Sequence, residues 1–588
     1  MASSIGFHVC PVLPVHISPK RTAPQTALKV SSIISTQNKA GSSSIVVPRR
    51  SGNYKPNTWD HSFIQSLKNE YAGDIYISRA ENLKEDVRKL FDTTIDPLER
   101  LELIDTLQHL GIAYHFNEEI RESLLSMSNN KDDVLLKRDI HATSLFFMIL
   151  RGHGFEISQE VFQCFKGTTG EYMDNNCGDI KGMLSLYEAS YLGFRGEKML
   201  DEARAFTTNY LKKYLKQGEI IKPTLKEQVV HSLELPRHWR VRRFESYWYI
   251  DIYERQGDVN PALLELAKLD FNLVQSTHHT NIQNMSRWWM NLGIAEQLTY
   301  TRDRVVESFF GTFGGLYQPQ FSSFREGLTK VHCMTSTIDD TYDIYGSMEE
   351  LVLLTDAVNR WELSAQQNLP EYLKVLISAL FITVEEICQE ILNKKGVDIS
   401  SYLKKGWADL CNSFLLEAKW YHSGYTPTLD EYLNNAWISA TIPIILIHTY
   451  FYIIEEITDE ALDGLVNYNG IIRWSSIIVR FTNDLATFEI ELEKGDTANA
   501  IPCYMLEKGV TEDVAVEHIR GLINEAWRKI NKECVDQSLF PREFIDACIN
   551  TSRMSHCLYQ HGDGYSSPDK HETTNLILFS LIKPIPLA

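Results

Sequence analysis

A chain of 588 residues is too long for one hydrophobic core, and 44% apolar against 23% charged residues describe a globular body rather than a fibrous or disordered one. Its ten cysteines are scattered, with no CxxC pair and no zinc-like Cys/His spacing, which excludes a disulfide framework and points to a reducing compartment. A net charge of −19 excludes nucleic acid as a partner, because phosphate contacts need clustered Lys and Arg.

The first fifty residues differ from the rest. They hold Lys20, Arg21, Lys29, Lys39, Arg49 and Arg50, no acid, and the Ser-rich run "SSIISTQNKAGSSS". Basic, acid-free and Ser-rich is the composition of an organelle transit peptide, expected over residues 1–48, with an ordinary basic tail as the alternative. Helical periodicity follows. Leu83, Val87, Leu90 and Phe91 recur at i, i+4, i+7 and i+8, and Ile104, Leu107 and Leu110 repeat the pattern until Gly111 stops it. "QGDVNP", residues 256–261, is a polar break with Gly and Pro between two helical stretches. No Asn-Gly hairpin, alternating strand series or short repeat appears. The expectation is an all-α protein of two helical domains, 49–258 and 259–588, with the unusual chemistry confined to the second.

Within it, "TRDRVVESFF" holds Arg302 and Arg304. Two residues apart, they share no helix face, so they can converge on one anion only from a loop or a frayed helix end. "STIDDTYDIYG" follows, with Asp339 and Asp343 at i and i+4, stacked on one helical face. Such like charges repel by a few tenths of a kcal/mol, and more when buried, unless a cation lies between them. Asp340 points about a third of a turn away, toward water or an adjacent base. "EYLKVLISALFITVEEICQEIL" reads as a long helix with one broad apolar face. The most apolar run, "WISATIPIILIHTYFYIIEE", carries a proline, hydroxyls and His448, which suits a bent, buried helix rather than a membrane span. "VRFTNDLATFEIELEKGD" then puts Asn483, Thr487 and Glu491 on one stripe, with Arg480 sharing that face. Hard oxygen donors with one certain charge suit a Mg²⁺ that keeps its waters and binds phosphate oxygens. Two oxygen-rich helix faces and three arginines thus fit a site for a diphosphate leaving group. A Gly-rich phosphate loop and a Ser–His–Asp arrangement are both missing.

These residues resemble the motifs of plant class I terpene synthases from about residue 49 to the C-terminus. Asp339, Asp340 and Asp343 match DDxxD. Asn483, Asp484, Thr487 and Glu491 match (N/D)DxxTxxxE. Arg302, Arg304 and Arg480 match the family's diphosphate arginines, "RWW" matches Arg287, Trp288 and Trp289, and "HGDGY" resembles its lid, with Asp563 and Tyr565. Arg49, Arg50 and Trp59 form RRx8W, typical of monoterpene synthases. A DxDD motif is absent, so the resemblance implies a catalytically silent N-terminal domain.

It further implies three Mg²⁺ ions, with Mn²⁺ as a substitute, held by Asp339, Asp340, Asp343, Asn483, Thr487 and Glu491. It implies a small prenyl diphosphate substrate, a plastid stroma location, and Arg49, Arg50 and Trp59 closing over the site. Geranyl diphosphate would ionise to an allylic cation and end by cyclisation, water capture or proton loss, as linalool or a cyclic product such as limonene or α-terpineol. Trp288 or Trp289, with Tyr565, is the candidate aromatic wall. His332, two turns before Asp339, is a candidate for ordering water, taking a proton, or simply packing in the core. Lys494 stands where the family often has Arg. A sesquiterpene synthase using farnesyl diphosphate and a non-catalytic helical scaffold are the alternatives, and monomer and homodimer both stay open.

Overall fold

The computed structural model describes residues 49–129, 139–167, 172, 179–217, 222–362, 368–536, 539–567 and 571–587. The expected leader, 1–48, lies outside them. No β-strand occurs among the described residues, whose β pairing is two isolated bridges; everything else with regular structure is helical. The all-α expectation therefore holds.

Local chemistry sets the helix boundaries. In Asp74–Thr93 the predicted stripe is inside: Leu83, Val87 and Phe91 are buried. Pro97–His109 buries Leu101, Ile104 and Leu107. The chain then turns at Gly111, whose φ of +74° places it in the left-handed region. A Cβ there would lie 2.3 Å from Ser246 Oγ, so glycine answers both strain and space. The "QGDVNP" break falls between helices Arg242–Glu254 and Pro261–Leu292. Its last two residues start the second helix. Asn260 Oδ1 caps the N–H groups of Ala262 and Leu263, and Pro261 takes the first turn, where no N–H is needed.

Residues 51–588 pack as one unit. In its C-terminal part the site is carried by helices Val305–Gly315, Ser322–Asp340, Ser400–Ser423, Leu429–Ser439 and Ile471–Glu493. Ile471–Glu493 packs on Arg542–Tyr559 and Glu512–Glu533, which anchor it from behind. The apolar run is two helices, Leu429–Ser439 and Ile442–Ile453, broken at Thr441, whose φ is +67°. Leu429–Ile453 is long and apolar enough to cross a membrane by composition, yet 83% of its apolar window is buried inside the protein, as befits a core helix.

Candidate active site

Arg302 and Arg304 lie in the loop that leads into helix Val305–Gly315, where i and i+2 side chains can converge. Arg302 is the hub. Its guanidinium pairs with Asp339, lies 2.9 Å from Asp340 Oδ1, and donates to Ser566 Oγ at 2.8 Å. Its backbone N–H also donates to Asp340 Oδ2 at 2.7 Å. Arg304, 2% exposed, donates to the carbonyls of Asp303 and Lys55, at 2.9 and 3.0 Å. Asp303 between them accepts from Asn57 Nδ2 at 3.1 Å and Trp289 Nε1 at 2.9 Å.

The aspartate stretch is not one straight α-helix. Helix Ser322–Asp340 ends inside the motif and Thr341–Tyr345 continues as a π turn, closed by Gly346 N–H on Thr341 C=O at 2.8 Å. A π turn widens the backbone locally and recurs at functional sites. It separates the three carboxylates by environment. Asp340 is fully buried, and its oxygens accept from Tyr54 OH, at 2.6 Å, and from Arg302 N–H. Asp339 is partly exposed and bound to Arg302. Asp343 is exposed at the rim, with protein crowded around its base. The surrounding protein, then the charges of Asp339, Asp496 and Glu417, raises its pKa well above that of a free aspartate.

On Ile471–Glu493, Asn483, Thr487 and Glu491 share the expected stripe. Asn483 Oδ1 accepts from Arg480 Nη1 at 3.3 Å, and Thr487 Oγ1 donates back to Asn483 C=O at 3.0 Å. Glu491 Oε2 accepts from Asn499 Nδ2 at 2.9 Å, and burial pushes its pKa up to about 7. Asp484 faces inward instead, bound by Tyr432 OH and the Ala500 N–H. Arg480 is fixed by Ala436 C=O at 3.1 Å and Ser439 Oγ at 3.2 Å. Lys494 is exposed, one residue past the helix end.

Sequence reasoning missed two carboxylates. Glu417, on Ser400–Ser423, accepts from Ser439 Oγ at 2.5 Å and Asn435 Nδ2 at 3.1 Å, and burial pushes its pKa up to about 7. Asp496 follows the second motif in "EKGD". Its charge acts on Asp343, Glu417 and Glu491 alike, so it joins the two metal-type faces electrostatically. Glu417 has no sequence signal, being one acid on an ordinary helix; Asp496 was signalled only by its nearness to Glu491.

Two segments cover this cluster. From the C-terminal side, Asp563 Oδ1 accepts the N–H groups of Tyr565 and Ser566, at 3.0 and 2.9 Å, a turn that aims both at Arg302. Tyr565 OH shares hydrogen bonds with Ser336 and Ser308, and its ring centre lies 5.8 Å from the Arg302 guanidinium. A Cβ on Gly564 would lie 2.6 Å from Leu558 C=O, so the turn needs glycine there. From the N-terminal side, Tyr54, Asn57 and Trp59 reach Asp340, Asp303 and Glu307; the Trp59 indole donates to Glu307 at 3.1 Å. Arg50 is exposed and Arg49 partly so. Changing Tyr54 to Phe keeps the ring and removes its hydroxyl from a buried carboxylate. We expect a loss of about 1.5 kcal/mol, read as a lower urea midpoint at unchanged slope.

The two tryptophans differ from the expectation of an aromatic wall. Trp289 is 3% exposed and holds Asp303, while Trp288 lies under the Lys330 ammonium, 5.6 Å from its ring centre. Adjacent helical positions cannot both face one cavity. Tyr342, inside the aspartate motif, is 1% exposed and packs on Phe414 with its hydroxyl on Thr355. His332 lies one turn before Ser336, partly exposed, with no hydrogen bond from its ring among the described residues. Burial pushes its pKa down to about 4, so it is neutral. Opposite it, a Cβ on Gly311 would lie 4.0 Å from His332 Cε1, so the glycine sits against the ring.

Comparison with known proteins decides the family. The terpene synthase N-terminal domain matches residues 58–233, and the metal-binding domain of the terpene synthase family matches residues 290–529. The chain belongs to the terpene synthase family. The synthase is 47% identical to the chloroplastic myrcene synthase of Quercus ilex, over 94% of this chain and 92% of that one. A structure of limonene synthase with 2-fluorolinalyl diphosphate superposes with a TM-score of 0.89 at 36% identity, covering 92% of this chain and all of that one. Isoprene synthase from grey poplar leaves, bound to three Mg²⁺ ions and dimethylallyl-S-thiolodiphosphate, gives 0.83 at 43%, covering 90% and 99%. The synthase thus has the two-domain helical fold of its relatives and carries their metal-binding domain.

Proposed function

We propose that this synthase is a plastid monoterpene synthase that ionises geranyl diphosphate. The observation that carries the reading is the electrostatic cluster in which Asp343, beside Asp339 and Arg302, and Glu491 and Arg480 on the other helix are joined through Asp496 and Glu417. Two relatives named for ten-carbon chemistry and the RRx8W segment favour geranyl over farnesyl diphosphate. The myrcene synthase's chloroplastic name and the acid-free leader support import into the plastid. In this reading residues 259–588 carry the chemistry, and 49–258 serve as scaffold and cover.

The donor set fits Mg²⁺. Asp343, Glu417 and Glu491 all hold protons more tightly than free carboxylates, which marks a place where positive charge is wanted. Asp339 and Asp343 would hold ions on one side, and Asn483, Thr487 and Glu491 on the other, with Asp340 bracing Arg302. Bound there, three Mg²⁺ ions would neutralise the diphosphate and make it a better leaving group. Arg302 and Arg480, fixed before substrate arrives, would hold its oxygens as the C–O bond breaks and the electron pair leaves with diphosphate. Arg304, tied to Lys55 C=O, keeps the N-terminal strap down, and Tyr565 would face the allylic cation from the lid. His332, neutral and with no ring hydrogen bond among the described residues, would hold the water that ends the reaction as an alcohol.

To test this, the chain is incubated with Mg²⁺ and geranyl or farnesyl diphosphate in parallel, and volatiles are identified by gas chromatography–mass spectrometry. Turnover of geranyl diphosphate to a ten-carbon product is expected. Preferential use of farnesyl diphosphate makes it a sesquiterpene synthase, and an inert protein returns the scaffold. His332→Leu should shift product from alcohol to hydrocarbon at similar total turnover; an unchanged product ratio removes His332 from the reaction.

The raised carboxylates also set a pH dependence. Glu417 and Glu491 titrate near 7 in the fold against 4.5 as free groups, so the folded protein holds these protons more tightly than the unfolded chain. Their contribution to stability is present below 4.5 and lost as pH rises through 7. Mg²⁺ replaces that lost positive charge and competes with the protons. Its rise in melting temperature should therefore be larger at pH 8 than at pH 6, measured by calorimetry with and without the metal.

A further inference from the structure

A cavity of about 110 Å³ lies where helices Pro97–His109 and Ile140–Gly152 meet Arg542–Tyr559, and it shares no residue with the site above. Its lining is cationic, with six arginines against three carboxylates. Four of the arginines have an acid. Arg151 pairs with Glu197, Arg237 with Asp105 at 2.6 Å, Arg240 with Glu234 at 3.5 Å, and Arg542 with Asp546 at 3.0 Å.

Arg242 and Arg553 have no ion pair of their own among the described residues; the acid that acts on Arg553, Asp546, is the one bound to Arg542. Arg242 is exposed and stands first in helix Arg242–Glu254, where the helix dipole disfavours a cation. Arg553 is 5% exposed and gives its fork to neutral acceptors. Nε donates to His238 C=O at 2.8 Å, Nη1 to Asn550 Oδ1 at 2.8 Å, and Nη2 to His238 Nδ1 at 3.5 Å. Burial, then the charge of Arg242, drives its pKa well below the usual arginine value, and the charge of Asp546 offsets only part of that. Glu188 does not supply the counter-charge. It accepts the Arg237 N–H through Oε2, its Oε1 is unbonded, and burial pushes its pKa up to about 7.

A buried guanidinium without an anion is among the costliest groups to place in a protein interior. Guanidinium forks match phosphate oxygens, and the space suffices for a few waters or one tetrahedral oxyanion. We infer that Arg242, Arg542 and Arg553 form a binding site for an inorganic phosphate oxyanion, entered past the exposed Arg242. Arg242 comes from the N-terminal half and the other two from the last long helix, so an oxyanion there braces the junction of the halves without touching the reaction.

The test is a thermal melt of the full chain in EDTA, titrated with inorganic phosphate or with diphosphate against chloride of equal ionic strength. Phosphate should raise the melting temperature, and Arg242→Gln should weaken its binding at least tenfold while leaving metal-dependent turnover unchanged. Arg553→Met should do the same if it folds; the exposed Arg242 carries the test if it does not. Asp343→Asn should leave the phosphate effect intact. Phosphate acting no better than chloride, or equally well on Arg242→Gln, overturns the inference. Stabilisation by diphosphate alone, lost in Asp343→Asn, places the anion at the aspartate site and overturns it too.

Discussion

Replacing Asp343 with Asn should cost about a thousandfold in kcat and leave the fold as stable as before, or more so. Asp343 is exposed at the rim, and the protein around it and three neighbouring carboxylates already make its charge unwelcome in the metal-free protein. An amide of the same shape relieves that repulsion and gives up the ion it would hold, the usual trade between stability and activity at a catalytic site. Asp340, three residues earlier in the same motif, should behave in the opposite way. It is fully buried between Tyr54 OH and the Arg302 N–H, and it shares the charge of Arg302. Asp340→Asn leaves that guanidinium short of an anion, and we expect a stability loss of about 3 kcal/mol. Urea melts and steady-state kinetics on both variants separate the roles. A motif that is only a solvated helix face predicts no kcat change in Asp343→Asn, and an Asp340 that only binds metal predicts no stability change.

The fold class and the faces of the two site helices were legible because both follow from short-range spacing. The stripe of Leu83, Val87 and Phe91 is buried as its periodicity required, and Asn260 and Pro261 begin a helix by capping chemistry alone. That Arg302 and Arg304 needed a loop was also readable, since i and i+2 diverge on a helix. What stands opposite a face was not readable. Glu417 reaches the cluster because Ser400–Ser423 packs beside Leu429–Ser439, a tertiary fact that no spacing encodes. The π turn at Thr341–Tyr345 was hidden because i, i+4 aspartates read as α-helix by default, although the local backbone is wider. Trp289 has the composition of a pocket wall, yet its indole N–H is taken by Asp303 fourteen residues on, and a buried donor with a carboxylate in reach is satisfied first.

Arg480→Lys should cost about a hundredfold to a thousandfold in kcat although the charge is kept. The guanidinium is fixed at several points at once: Nε on Ala436 C=O, Nη2 on Ser439 Oγ and Nη1 on Asn483 Oδ1, at 3.1, 3.2 and 3.3 Å. Those bonds run from the Leu429–Ser439 helix across to the Asn-Thr-Glu stripe, so one planar group sets both the position of a positive charge and the orientation of a metal-type ligand. An ammonium is a point donor on a flexible stem; it cannot span those acceptors and still face a diphosphate. It also moves the charge that Glu417 and the buried Asp484 feel, so both carboxylates become harder to ionise. The lysine variant should therefore lose kcat more than it gains KM, and raising Mg²⁺ should recover only part of the loss. If Arg480 merely attracted the substrate by charge, lysine would restore kcat and raise KM alone, and a Michaelis–Menten comparison at two Mg²⁺ concentrations distinguishes the two.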